Sequence, residues 1–150
     1  MTAGPWIFFG QFLEDEAKGL HNLSSHALKV ALLTADWTPD TDADETWGDV
    51  SAHEVDGTGN GYAQQDVTGA ISRSGTTVTF DGNDVEFLAN GGGIEDARYA
   101  VLYNDDSGDR LVAYCQLDTS DGGKDVDIPN SGKLRIKMHA SGIGQKAAAS

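Results

Sequence analysis

Residues 97–117 read ARYAVLYNDDSGDRLVAYCQL, two apolar runs on either side of a polar hexad. Arg98–Tyr103 and Leu111–Leu117 are rich in Val, Leu and Tyr, while Asn104-Asp105-Asp106-Ser107-Gly108 is turn chemistry, so the stretch predicts a β-hairpin. In the second run Leu111, Ala113, Cys115 and Leu117 alternate with Val112 and Tyr114, which makes both faces apolar. Strands apolar on both faces are central strands or interface strands. The hairpin is therefore the expected middle of the fold.

The same style of writing continues outward. Leu28–Leu33 (LKVALL) is a strong strand, and Gly57–Gly61 reads as a turn before a short strand near Tyr62–Val67. Ala70–Arg73 and Thr76–Phe80 form a second hairpin around Ser74-Gly75, a dipeptide suited to a tight turn. Asp81–Asp84 then turns the chain into Val85–Leu88. Gly91-Gly92-Gly93 permits a wide turn and holds no strand of its own. Lys133–His139 alternates, with Leu134, Ile136 and Met138 against Lys133, Arg135, Lys137 and His139. One helix is expected, over residues 5–18: Pro5 suits a first helical position, Phe9, Phe12, Leu13, Ala17 and Leu20 recur at helical spacing, and Gly19 stops it. The fold class is all-β, an antiparallel β-sandwich or small barrel with one short N-terminal helix. The organisation is an N-terminal arm and helix (1–27), a β domain (28–139) and a C-terminal tail (140–150) with little to bury except Ile143. That tail is expected to be mobile unless a partner holds it.

At 150 residues one domain is the simplest reading, with roughly two thirds of the unfolded surface buried. Twenty-four acidic residues face ten basic ones, a net charge of −14, and that field repels nucleic acid. The single cysteine, Cys115, excludes an intrachain disulfide and reads as a buried, inert thiol. MTAGPWIFFGQF is apolar but has no basic flank and runs at once into Glu14-Asp15-Glu16, so neither a secretion signal nor a membrane span is expected.

Chemistry-bearing patterns are sparse. The acidic connection 34–56 offers Asp40, Asp42 and Asp44 as weak candidates for a divalent cation, but Glu45 stands where a calcium loop needs Gly and Ser51 where it needs Glu. A solvated acidic loop is the favoured reading, and no metal or other cofactor is expected. His53-Glu54 lacks the second histidine of a zinc-protease helix, and Gly57–Gly61 lacks the lysine of a phosphate loop. No catalytic residue is assigned and no enzyme is expected. Lys133, Arg135 and Lys137 place three cations on one face of one strand. They either protect an exposed edge or meet an acidic partner surface. Trp6, Ile7, Phe8, Phe9, Phe12 and Leu13 put more apolar surface at the N-terminus than one helix face buries, which marks them as anchor candidates.

Taken in order, LKVALLT, the Trp37-Thr38-Pro39 loop, the Glu54–Gly59 turn (EVDGTG) and ARYAVLY resemble a family of small virion structural proteins of tailed bacteriophages. The resemblance runs from about Phe8 to Leu117 and departs from the family pattern at the Gly-rich Asn90–Asp96. It implies a structural component without catalytic activity: a capsid decoration (cement) or head-fibre protein. Such a protein would sit on the capsid exterior after assembly in the host cytoplasm. The implied partner is the major capsid protein, with no nucleic acid and no membrane. Self-association, as a trimer, is expected from the two-faced hairpin and the apolar helix. The alternative is a tail or fibre component binding a host receptor or glycan, with Trp37, Trp47 and Tyr62 as a sugar-stacking platform.

Overall fold

The computed structural model describes residues 2–137 and 143–147. In chain order the elements begin with β1 (Ile7–Phe8), α1 (Gly10–Ala17), β2 (Leu28–Leu33) and a one-turn helix α2 (Trp47–Val50). There follow β3 (Gln65–Val67), β4 (Gly69–Ser74), β5 (Thr77–Gly82), β6 (Val85–Leu88) and β7 (Ile94–Ala97). Then come β8 (Tyr99–Asn104), β9 (Arg110–Gln116), β10 (Val126–Ile128), β11 (Lys133–Ile136) and β12 (Gly144–Ala147). The fold is all-β, as expected, and every pairing is antiparallel.

The main sheet has the order β1-β9-β8-β2-β3, which puts the predicted hairpin in its middle. Nearly every residue of β2 and β8 is buried, and that explains why their sequences carry no polar alternation. A bulge between Leu102 and Tyr103 changes one detail: Tyr103 pairs with Leu111 and Leu102 with Ala113, leaving Val112 as the extra residue. Leu111 therefore lies on the face opposite Ala113 and Cys115, not with them as strict alternation predicts. On the side of Tyr99, Val101 and Tyr103 the sheet is covered by the 34–50 connection. There Trp37 meets Tyr99 and Tyr114 edge-on at 5.2 and 5.4 Å, and Trp47 stacks on Tyr103 at 5.0 Å. Those two tryptophans pin the acidic connection to the sheet.

Three smaller sheets complete the structure: β12-β5-β4, β10-β7 and β11-β6. Besides β1, three strands among the described residues lie where none was expected: β7 follows directly on the glycine run, β10 lies between the hairpin and the last predicted strand, and β12 lies in the tail. Ile143 is buried and Gly144–Ala147 pairs with Thr77–Phe80, so this part of the tail is held by the chain's own β5. The helix is shorter than its pattern, Gly10–Ala17 instead of 5–18, because Ile7–Phe8 pairs with Tyr114–Ala113 as a strand. One continuous core joins Phe9, Phe12 and Leu23 to the β strands and to Ile143, so the expected divisions at 27/28 and 139/140 separate no packing unit. Met138 and His139, placed at the end of the last predicted strand, lie outside the described residues, as do 140–142 and 148–150 of the predicted tail. Among the described residues no helix is long and apolar enough to cross a membrane.

Candidate functional site

The six anchor candidates do not act as a set. Phe9 and Phe12 are 0% and 1% exposed. Phe9 lies against Trp37 and Tyr114, and Phe12 stacks on Phe8 at 4.9 Å. Trp6 and Phe8 are partly buried against the same core. Only Ile7 and Leu13 stay exposed. The helical period correctly marked an apolar face, but the chain's own sheets bury it.

The basic face is also answered from within. Lys133 reaches Glu86 at 3.7 Å, and Arg135 reaches Asp84 at 3.0 Å and Glu86 at 4.0 Å. The pairing follows from register, since Arg135 sits opposite Glu86 and Lys133 opposite Leu88. Such half-exposed pairs contribute little stability, under about 1 kcal/mol each, but they leave no concentrated positive field. Lys137 is exposed beside Trp6 and Ile136. Among the described residues β11 pairs with β6 alone, which fits the reading of a charge-protected edge.

In the acidic connection the carboxylates of Asp40, Asp44 and Asp49 are engaged within the chain. Asp40 Oδ1 accepts the N–H groups of Asp42 and Ala43, and Asp44 Oδ2 accepts the indole N–H of Trp37 at 3.0 Å. Asp49 accepts from the backbone of Glu45 and Thr46, which holds its carboxyl below the ordinary range. Among the described residues no three His, Cys, Asp or Glu side chains converge as a metal site. A cleft of about 490 Å³ carries Asp36, His53, Glu54, Asp56, Glu95 and Asp96. Here too the acids have local work: Glu54 Oε1 accepts from the Tyr62 hydroxyl and Gln64, and Asp56 caps Thr58.

The sugar-stacking set is not a platform. Trp37 is buried, and the Tyr62 hydroxyl donates to Glu54 while the Leu32 N–H donates to it at 3.0 Å. Burial raises the Tyr62 pKa far above its ordinary value. Cys115 is buried, and burial pushes its thiol up to about 12, so it is no nucleophile in the folded state.

One end of the β12-β5-β4 sheet is open to a partner. Ile71 pairs with Phe80 and Arg73 with Val78, so these four side chains share a face. Phe80 is buried beside Phe8, Phe12 and Leu23, whereas Ile71 and Val78 emerge from cover at 47% and 36% exposure. β4 is exposed from Ala70 to Ser74, and among the described residues it has no strand on its outer side. Residues 67–80 contain no Asp or Glu, in a chain of −14. The sequence announced this hairpin through Ser74-Gly75, and the absence of acids over fourteen positions marks it out in the chain. Comparison with protein-family models, with curated proteins and with solved structures found no match to this chain.

Proposed function

We propose that the protein is a bacteriophage virion structural component, a capsid decoration protein that docks on the major capsid protein through the β4–β5 face. The observation that carries the reading is that face: an unpaired strand edge, half-exposed Ile71 and Val78, and no acid to repel a partner. An open edge of this kind accepts an added strand from another chain. The resemblance carried by LKVALLT, EVDGTG and ARYAVLY supplies the class of partner. The remaining acidic exterior then faces solvent, keeping particles apart. The surfaces first expected to build a trimer, the 98–117 hairpin and the helix, are covered by the chain itself, so any homo-oligomer would draw on the same β4–β5 face.

The test is cosedimentation with shells that lack the protein, using wild type and the double variant Ile71→Asp/Val78→Asp. Both positions are half exposed, so the variant is expected to keep the wild-type circular dichroism and melting temperature while losing shell binding. Undiminished binding by the folded variant would refute this docking face. Shells that bind neither protein, from particles that need it only to adsorb to cells, would instead identify a receptor-binding tail or fibre component.

A further inference from the structure

Asn104 is a polar residue at 0% exposure, and every hydrogen-bonding atom of its side chain has a partner. Its Oδ1 accepts the backbone N–H of Asp106 at 3.1 Å. That bond fixes the amide orientation, because the flipped amide would set N–H against N–H. The two amide hydrogens are left for two imidazoles: Nδ2 lies 3.0 Å from His21 Nδ1 and 2.9 Å from His26 Nδ1. The Asn22 N–H also donates to His26 Nδ1, at 3.2 Å. Both Nδ1 atoms are therefore acceptors, and both neutral rings carry their proton on Nε2. An imidazolium has no acceptor, so protonating either ring turns a hydrogen bond into a donor–donor clash.

The histidines stand at a mechanical joint. Residues 20–27 link α1 to β2 and are tied to the β8–β9 turn by three more bonds. Ser107 Oγ donates to the Leu20 carbonyl, the Ala27 N–H donates to Asp106, and the Asp105 N–H donates to the Ala27 carbonyl. His21 also packs on Phe12 of α1, ring centres 5.0 Å apart. The charged groups around His21 are Asp15 and Glu16 from α1 and Arg110 from β9, and those sharing a cleft with His26 are Lys29 from β2, Asp66 from β3 and Asp105 and Asp106 from the turn. Asp15 is already committed to Arg110 at 3.0 Å. His21 Nε2 is buried without a partner, and burial outweighs the neighbouring carboxylates in holding this ring below its ordinary pKa.

The geometry points to an acid-sensitive latch: His21 and His26 hold the 20–27 joint on the β8–β9 turn only while both rings are neutral, and protonation of either loosens the joint together with α1. The sign follows from the arrangement. The unfolded chain binds a proton on His21 more readily than the folded one, so stability is complete above the ordinary histidine pKa of about 6.5 and falls as pH drops through it. The contribution is independent of the proposed docking face.

The experiment compares urea unfolding of wild type and His21→Gln/His26→Gln at about pH 7.5 and about pH 5, above the range where most carboxylates titrate. A glutamine carbonyl accepts the Asn104 amide at either pH. Wild type is expected to lose on the order of tenfold in its folding equilibrium constant, the scale of one lost buried hydrogen bond, relative to the variant. Amide exchange over residues 10–27 should quicken relative to β2 and β8. Equal pH dependence of the two proteins, or wild type gaining stability in acid relative to the variant, overturns the latch. Should the variant fail to fold, nitrogen NMR of the wild-type rings decides: unprotonated Nδ1 on both, with His21 titrating below its ordinary value, supports it. Protonated Nδ1 on either refutes it.

Discussion

Phe9→Ala separates an N-terminus that belongs to the protein's own core from one that reaches out to a partner. Phe9 is fully buried, its ring centre 5.7 Å from that of Tyr114 and 6.3 Å from that of Trp37, and its N–H donates to the Val112 carbonyl at 3.1 Å. Truncating such a phenylalanine removes its transfer free energy and leaves a cavity that rigid neighbours cannot close, a cost of about 3–5 kcal/mol. The walls here are a central strand and an indole, neither free to collapse, so the upper half of that range is expected. In a chain of this size the loss lowers the melting temperature by roughly 10 °C or more. Leu13→Ala, four positions on at 44% exposure, is the control and should cost under about 1 kcal/mol. Urea denaturation of the three proteins in isolation measures both values. If Phe9→Ala costs no more than Leu13→Ala, the segment is not docked on its own sheet in solution, and the exposed-anchor reading of Trp6–Leu13 is restored. The same packing predicts that deleting residues 1–13 unfolds the domain, since it removes Phe9 and Phe12 together.

Gly69→Ala should destabilise by about 2 kcal/mol or more, read by thermal melting, because a Cβ there would lie 1.8 Å from the Leu23 carbonyl oxygen and the backbone must move. Asp118 Oδ1 accepts from the Thr2 N–H, the Ser120 N–H and the Ser120 hydroxyl, bonds that hold its pKa near about 2. A depressed carboxylate pKa stabilises above its unfolded value and is lost as pH falls through the folded one. Asp118→Asn should therefore flatten the acid-unfolding curve between about pH 4 and 2. Cys115 should resist thiol reagents in the native protein and react at the rate of unfolding, which makes labelling in urea a direct reporter of global opening; rapid native labelling would refute its burial.

The elements that the sequence determined by itself are those written in neighbouring residues. LKVALL is a strand wherever it stands, Ser74-Gly75 closes a hairpin, and the apolar faces of residues 98–117 demand cover on both sides. From these the all-β class and the central place of β8 and β9 follow. Tertiary structure decided what depends on distant partners. β12 exists because β5 offers it an edge, and β10 because β7 does. Neither segment carries enough period-two pattern to announce itself, since ladder hydrogen bonds come from backbone that any sequence possesses. The bulge at Val112 moved Leu111 across the sheet without leaving a mark in the alternation. Phe9 and Phe12 read as surplus apolar surface because the sheets that bury them come later in the chain. Lys133 and Arg135 read as a free basic face because Glu86 and Asp84 sit about fifty residues away. Asn104 is the sharpest case. Locally it is the first residue of a turn, and only folding brings it against two histidines some eighty positions earlier. A buried amide is satisfied by whatever donors and acceptors the fold delivers, and the linear order of residues does not record that delivery.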